Sequence, residues 1–274
     1  MKRMLLNITL VILFIFSSVH AQKVTFNEQE FFNRLRDSYY TLSATNKKNF
    51  VALVTSLKME SLAEELWQKK EIFPLQLIWF NPNKIYISQK GVPQIPRGKY
   101  KEYQEVVNGL KMQLKGILLD LQRFYLIGLY GSISGDYTLQ HNEEAVQITQ
   151  VQKSADVEIK SKYLFGLNGL CLFNEIAYPA EQKVITIEPH FKTVKSKWLC
   201  TGWKVQTVIN GEINSGFNLI IDNVFVDNVW VPGQITIEVQ KADAKGKTFF
   251  DRIKLKNYLF NQAIQLVGQP NANH

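Results

Sequence analysis

From Tyr137 onward the chain alternates apolar and polar residues one by one. Tyr137-Thr138-Leu139-Gln140, Val146-Gln147-Ile148-Thr149-Gln150-Val151 and Val157-Glu158-Ile159-Lys160 all follow that rhythm. A period of two sends successive side chains to opposite faces of a strand, so each run can bury one face and wet the other. Further runs cover residues 184–187, 203–208, 217–221, 235–239 and 253–258. Turn signals fall between them at Asn168-Gly169, Asn210-Gly211, Ser215-Gly216, Pro232-Gly233 and Lys245-Gly246. Short strands joined by tight turns predict an antiparallel meander over residues 137–262. No segment alternates strand with helix, which argues against a parallel α/β sheet.

The first half reads differently. Asn27 with Glu30 three residues later marks a helix start, and Phe31, Leu35 and Tyr39 recur at helical spacing. Phe50, Leu53, Val54 and Leu57 repeat the same spacing and predict a second helix, and Ser61 with Glu64 starts a third through Trp67. Residues 75–79 and 85–89 flank Asn81-Pro82-Asn83 and read as a hairpin. Pro93, Pro96 and Gly98 form a connector to a long helix over residues 99–129. Leu110, Leu114, Ile117, Leu118, Leu121 and Tyr125 make its apolar stripe. Lys111, Lys115, Asp120 and Arg123 exclude a transmembrane span, so the stripe must lie on a sheet or on lipid. Gly131-Ser132-Ile133-Ser134-Gly135 reads as the loop from this helix to the sheet.

The expected architecture is one α+β domain over residues 22–274. It has a mainly helical part with one hairpin (22–136), the meander (137–262) and a flexible tail (263–274). Its sheet is curved, mostly antiparallel and half-barrel-like, with the N-terminal and central helices packed on one face.

Residues 1–21 have the composition of a cleaved signal peptide: Lys2 and Arg3, an apolar core over residues 8–16, and Val19-His20-Ala21 as the cleavage site. Gln22 follows, so no cysteine is placed to receive a lipid anchor. The expected location is the periplasm, with outer-membrane association a further option. Removing Lys2 and Arg3 lowers the formal charge from +8 to +6. The basic residues are interspersed with acidic ones, which excludes a nucleic-acid stripe but leaves peripheral contact with anionic lipid open. Cys171 and Cys200 fit either a disulfide, contributing roughly 3 kcal/mol, or two buried free thiols.

Catalytic signatures are absent from the pattern. His141, His190 and His274 are not at metal-ligand spacing, and neither cysteine has a CxxC partner. There is no G-x-S-x-G elbow, P-loop or G-x-G-x-x-G. Asp222-Asn223 and Asp227-Asn228 read as hairpin ends; Glu64-Glu65 and Glu143-Glu144 are adjacent pairs, and Glu143-Glu144, on a strand, is a poor acid–base couple. No catalytic, cofactor-binding or metal-binding residue is nominated.

What stands out is an aromatic content of 12%, much of it on the alternating runs. Ordinary core packing accounts for much of it. The alternative is an apolar cavity between sheet and helices, with Trp79, Tyr86, Phe173, Trp198, Trp203, Phe217 and Trp230 as its wall.

A leader, an N-terminal helix, a hairpin, a helical insertion and a long meander together resemble the periplasmic outer-membrane lipoprotein carrier and receptor superfamily. Val229-Trp230-Val231-Pro232-Gly233-Gln234-Ile235-Thr236-Ile237 is similar to the family's habit of opening a late strand with proline. The resemblance implies the fold and a ligand class, a lipid or a lipidated protein. It departs from the family in its longer central helix. An arginine that family carriers use inside the cavity has no matching motif among Arg34, Arg36, Arg97, Arg123 and Arg252.

The expected function is a non-enzymatic soluble periplasmic binding or carrier protein. Its rivals are an envelope-assembly subunit that docks a protein partner through residues 110–125, and a secreted hydrolase whose carboxylates meet only in three dimensions.

Overall fold

The computed structural model describes residues 26–68, 75–89, 97–133, 135–154, 157–240 and 248–264. The expected leader and most of the expected tail lie outside these residues. The helices are α1 (Glu28–Ser38), α2 (Leu57–Trp67), α3 (Tyr100–Leu121) and α4 (Gly128–Ser132), with a π-turn at Gln122–Leu126 between the last two. The strands are β1 (Asn49–Ser56), β2 (Leu75–Phe80), β3 (Lys84–Gln89), β4 (Tyr137–His141), β5 (Ala145–Ser154) and β6 (Val157–Gly166). They continue as β7 (Cys171–Tyr178), β8 (Lys183–Val194), β9 (Lys197–Ile209), β10 (Glu212–Val226), β11 (Val229–Gln240) and β12 (Thr248–Phe260).

All twelve strands form one open sheet in the order β3-β2-β1-β12-β11-β10-β9-β8-β7-β6-β5-β4. Every neighbouring pair is antiparallel. The meander β4–β12 follows chain order, and β1 then closes against β12 with Phe50 opposite Phe260. The two outermost strands, β3 and β4, are joined through the helical arm α3–α4.

The sheet is strongly rolled. Gln122 Nε2 donates to Asn83 O in the β2–β3 turn at 3.2 Å, and Arg123 Nη1 donates to Asn174 Oδ1 on β7 at 2.7 Å. β2 and β7 are seven strand spacings apart, about 34 Å if the sheet were flat. Two adjacent residues cannot bridge that distance, so the sheet curls until both strands lie within reach of one helix end.

Local chemistry explains most element boundaries. Asn27 caps α1, its Oδ1 accepting from Glu30 N at 3.1 Å. Asn210-Gly211 turns β9 into β10 with φ of 53° and 82°, as a two-residue hairpin requires. Lys195-Ser196 and Asp227-Asn228 turn the neighbouring hairpins, also at positive φ but without glycine.

Several expectations are corrected. Residues 49–56 are strand β1, not helix. Phe50, Ala52, Val54 and Ser56 face the core in period two, while Leu53 between them let a helical template fit as well. α2 begins earlier than expected, because Ser56 Oγ rather than Ser61 accepts from Met59 N. The expected loop at Gly131-Ser132 is the end of α4. Ser215-Gly216 and Pro232-Gly233 are not turns: they lie at bulges inside β10 and β11. Asp222-Asn223 likewise lies within β10 at that bulge, whereas Asp227-Asn228 is a hairpin end as expected.

Candidate functional site

Cross-strand pairing fixes which side chains share a face. Trp79 opposes Phe50, Leu219 opposes Trp203, Phe217 opposes Val205, and Asn174 opposes Ile187. Alternation places all of these on one face. The arm meets that face directly: the Phe124 ring lies 5.9 Å from Trp203 and 6.5 Å from Phe191. Gln113 of α3 donates to Asp251 Oδ2 on β12 at 2.8 Å.

Apart from Asp251, held by Gln113 and Ser56, a charged cluster on this face forms where α3 passes into the π-turn. Arg123 Nη1 donates to Asp120 Oδ1 at 3.2 Å and to Asn174 Oδ1 at 2.7 Å. Asp120 is 8% exposed and Asn174 is fully buried. Asn174 Nδ2 in turn donates to Lys162 O at 3.3 Å, which fixes the amide's orientation. Gln150, also buried, occupies the same face two strands away, and Tyr163 opposes Asn174. Among the described residues, Arg123 Nε and Nη2 and Asp120 Oδ2 make no further hydrogen bond.

This arrangement arises from the π-turn. In a regular α-helix three consecutive residues cannot all face one way, yet Phe124, Tyr125 and Leu126 are all buried. The wider turn admits them and keeps Arg123 within reach of Asn174. Burial pushes the Asp120 carboxyl up to about 6, although the Arg123 guanidinium opposes the shift. A buried ion pair of this kind adds little net stability, and perturbed carboxylates cluster at functional sites.

A second polar set closes one end of the roll. Above its bulge β11 parts from β12, and the freed backbone is taken up by tyrosines. Tyr40 OH accepts from Trp230 N at 2.8 Å, Tyr125 OH donates to Trp230 O, and Tyr258 OH donates to Pro232 O at 2.6 Å. Burial raises all three phenols above their ordinary value. Lys47 Nζ reaches Asp227 Oδ2 at 2.5 Å across the same gap. Beside this end a cleft of about 150 Å³ opens between Leu35, Tyr39, Thr41, Ile127, Leu129 and Tyr130.

The residues expected to wall a cavity divide between the faces. Trp79, Trp203 and Phe217 lie on the Phe124 face, and Trp198 packs edge-on to Tyr39 at 5.1 Å. Tyr86 opposes Ile78 and Phe173 opposes Leu164, so both point to the other face. Trp230 contacts Phe225 and the Lys192 ammonium, on the side away from Phe191. Cys171 and Cys200 are buried free thiols rather than a disulfide. Burial raises both, Cys200 to about 12.

The sequence pattern did not nominate Asp120, Arg123 and Asn174 as a site. Its one signal was a charged pair at i, i+3 beside the aromatic run Phe124-Tyr125, and the third member lies 51 residues away. No cluster that could hold a metal ion occurs among the described residues, and no helix among them is long and apolar enough to cross a membrane. The sequence matches no protein-family model, no curated protein and no solved structure.

Proposed function

We propose that this protein, exported through residues 1–21, works in the periplasm as a carrier for a lipid or a lipidated partner. The α3–α4 arm packs on the concave face of the half-barrel and acts as its plug, which an acyl chain displaces. The supporting observation is the arm's position. It joins the two edge strands of an open sheet and lays Phe124 on the Trp203 face. Its hydrogen bonds to the strands and their turns run through side chains, among them Gln113, Gln122, Arg123 and Tyr125, and Tyr103, which accepts from Gln89.

The magnitudes suit reversible exchange. Leu110, Leu114, Ile117, Leu121 and Phe124 are buried, and re-exposing five such side chains costs about 10 kcal/mol. A long acyl chain offers a gain of similar size, about 0.8 kcal/mol for each methylene buried. In this reading Trp79, Trp203, Phe217 and Trp198 line the acyl site, and the free donors of Arg123 meet the ligand's polar end.

The test is native mass spectrometry of delipidated protein exposed to a membrane lipid extract. One bound acyl species per chain is expected. Recovery of the protein with no acyl species overturns the carrier reading.

A further inference from the structure

The outward side of α3 is not the surface of an ordinary solvated helix. Met112 is 66% exposed and Leu119 67%, the two highest values among the exposed large hydrophobic residues. They stand seven residues apart, two helical turns, and so lie on one stripe. Between and beside them are Lys111 and Lys115 together with Gly109 and Gly116, whose missing side chains face open space. The acidic residues of α3 lie outside the Met112–Leu119 segment. Glu102 is in its first turn, and the exposed Glu105 stands on the same stripe two turns before Met112. No acid lies between residues 106 and 119, and Asp120 points inward to Arg123. The Gln122 hydrogen bond to Asn83 brings the β2–β3 turn beside the end of the helix, and Lys84 is exposed there.

A segment of large apolar side chains flanked by Lys111 and Lys115, with no acid between residues 106 and 119, is complementary to an anionic bilayer surface. Thioether and leucyl groups enter the acyl boundary while the ammonium groups stay at headgroup level. A protein partner would be expected to offer the lysines discrete carboxylates, and nothing here selects one. We infer that the outer stripe of α3, centred on Met112 and Leu119 and framed by Lys84, Lys111 and Lys115, docks on anionic membrane surfaces. This docking is independent of the carrier reading. It gives α3 one face for the sheet and one for the bilayer.

The experiment is co-sedimentation of the purified protein with vesicles of pure phosphatidylcholine, and with vesicles containing one third phosphatidylglycerol. Binding is expected only to the second kind, and it weakens as salt rises. With each surface lysine worth about a factor of five, Lys111→Gln/Lys115→Gln should bind roughly 30-fold more weakly. Met112→Ser/Leu119→Ser should lose binding even at low salt. All four positions are at least partly exposed, so both variants should keep the wild-type circular dichroism spectrum. Equal partitioning of wild type and variants, absence of binding to the anionic vesicles, or self-association through the stripe in solution each overturns the proposal. Acyl binding measured by mass spectrometry on the same variants stays at the wild-type level, which separates this failure from failure of the carrier.

Discussion

Asp120 and Arg123 stand one helical turn apart and share a hydrogen bond of 3.2 Å beside Phe124 and Tyr163. The pair gives the roll an interior charge that its apolar surroundings resist. Asp120 is the member that yields, its carboxyl raised from 3.8 to about 6 by burial.

That shift sets a pH dependence of stability. Because the folded value lies above the unfolded one, the folded state holds the extra proton between pH 4 and 6. Stability from this group is therefore complete below about pH 4 and is lost as pH rises through 6. The difference between wild type and Asp120→Asn in urea unfolding should change by about 3 kcal/mol over that window. A difference that stays flat with pH contradicts the assignment.

Arg123→Met removes the cation from Asp120 and the donor from Asn174. It should destabilise the protein by about 3 kcal/mol at pH 7. Combined with Asp120→Asn it should cost clearly less than the two single changes added together, with a coupling of at least about 1 kcal/mol. Additive losses would mean that the two side chains do not interact.

Gly202 has φ of +143°, and a Cβ there would lie 2.0 Å from the Leu219 carbonyl oxygen. Backbone, not a side-chain tip, would have to move, so Gly202→Ala should cost about 3 kcal/mol or more. The midpoint of denaturant unfolding measures this; a loss below about 1 kcal/mol would show that the bulge at Thr201 relaxes freely.

Both thiols are buried, and their raised values leave almost no thiolate at neutral pH. Ellman's reagent should find no reactive thiol in the native protein and two per chain in guanidinium without reductant. Finding none after unfolding would mean that Cys171 and Cys200 had paired.

Much of the sheet was legible because its signals are local. Asn210-Gly211 carries its own positive-φ preference, and the alternation at 146–151 and 157–160 needs no partner to be read. What failed depended on distant pairing. Residues 49–56 carry Val51 and Leu53 on the half-buried face opposite Phe50, Ala52 and Val54, and apolar residues on both faces mask the strand period in the sequence. Pro232-Gly233 carries the composition of a turn. It sits in a bulge where β11 leaves β12, and Tyr258 bonds the Pro232 carbonyl. The Asp120–Arg123–Asn174 cluster was hidden for the same reason, because only the rolling of the sheet brings β7 under the end of α3.

Whether an acyl chain enters along the Trp203 face can be measured by titrating a fatty acid brominated along its chain while tryptophan emission is followed. Bromine quenches indoles it touches, and Trp203 lies directly beneath Phe124 of the arm. Saturable quenching is expected in the wild type, with clearly less in Trp203→Phe. Emission that does not change, or quenching that is identical in both proteins, contradicts a ligand site beneath the arm.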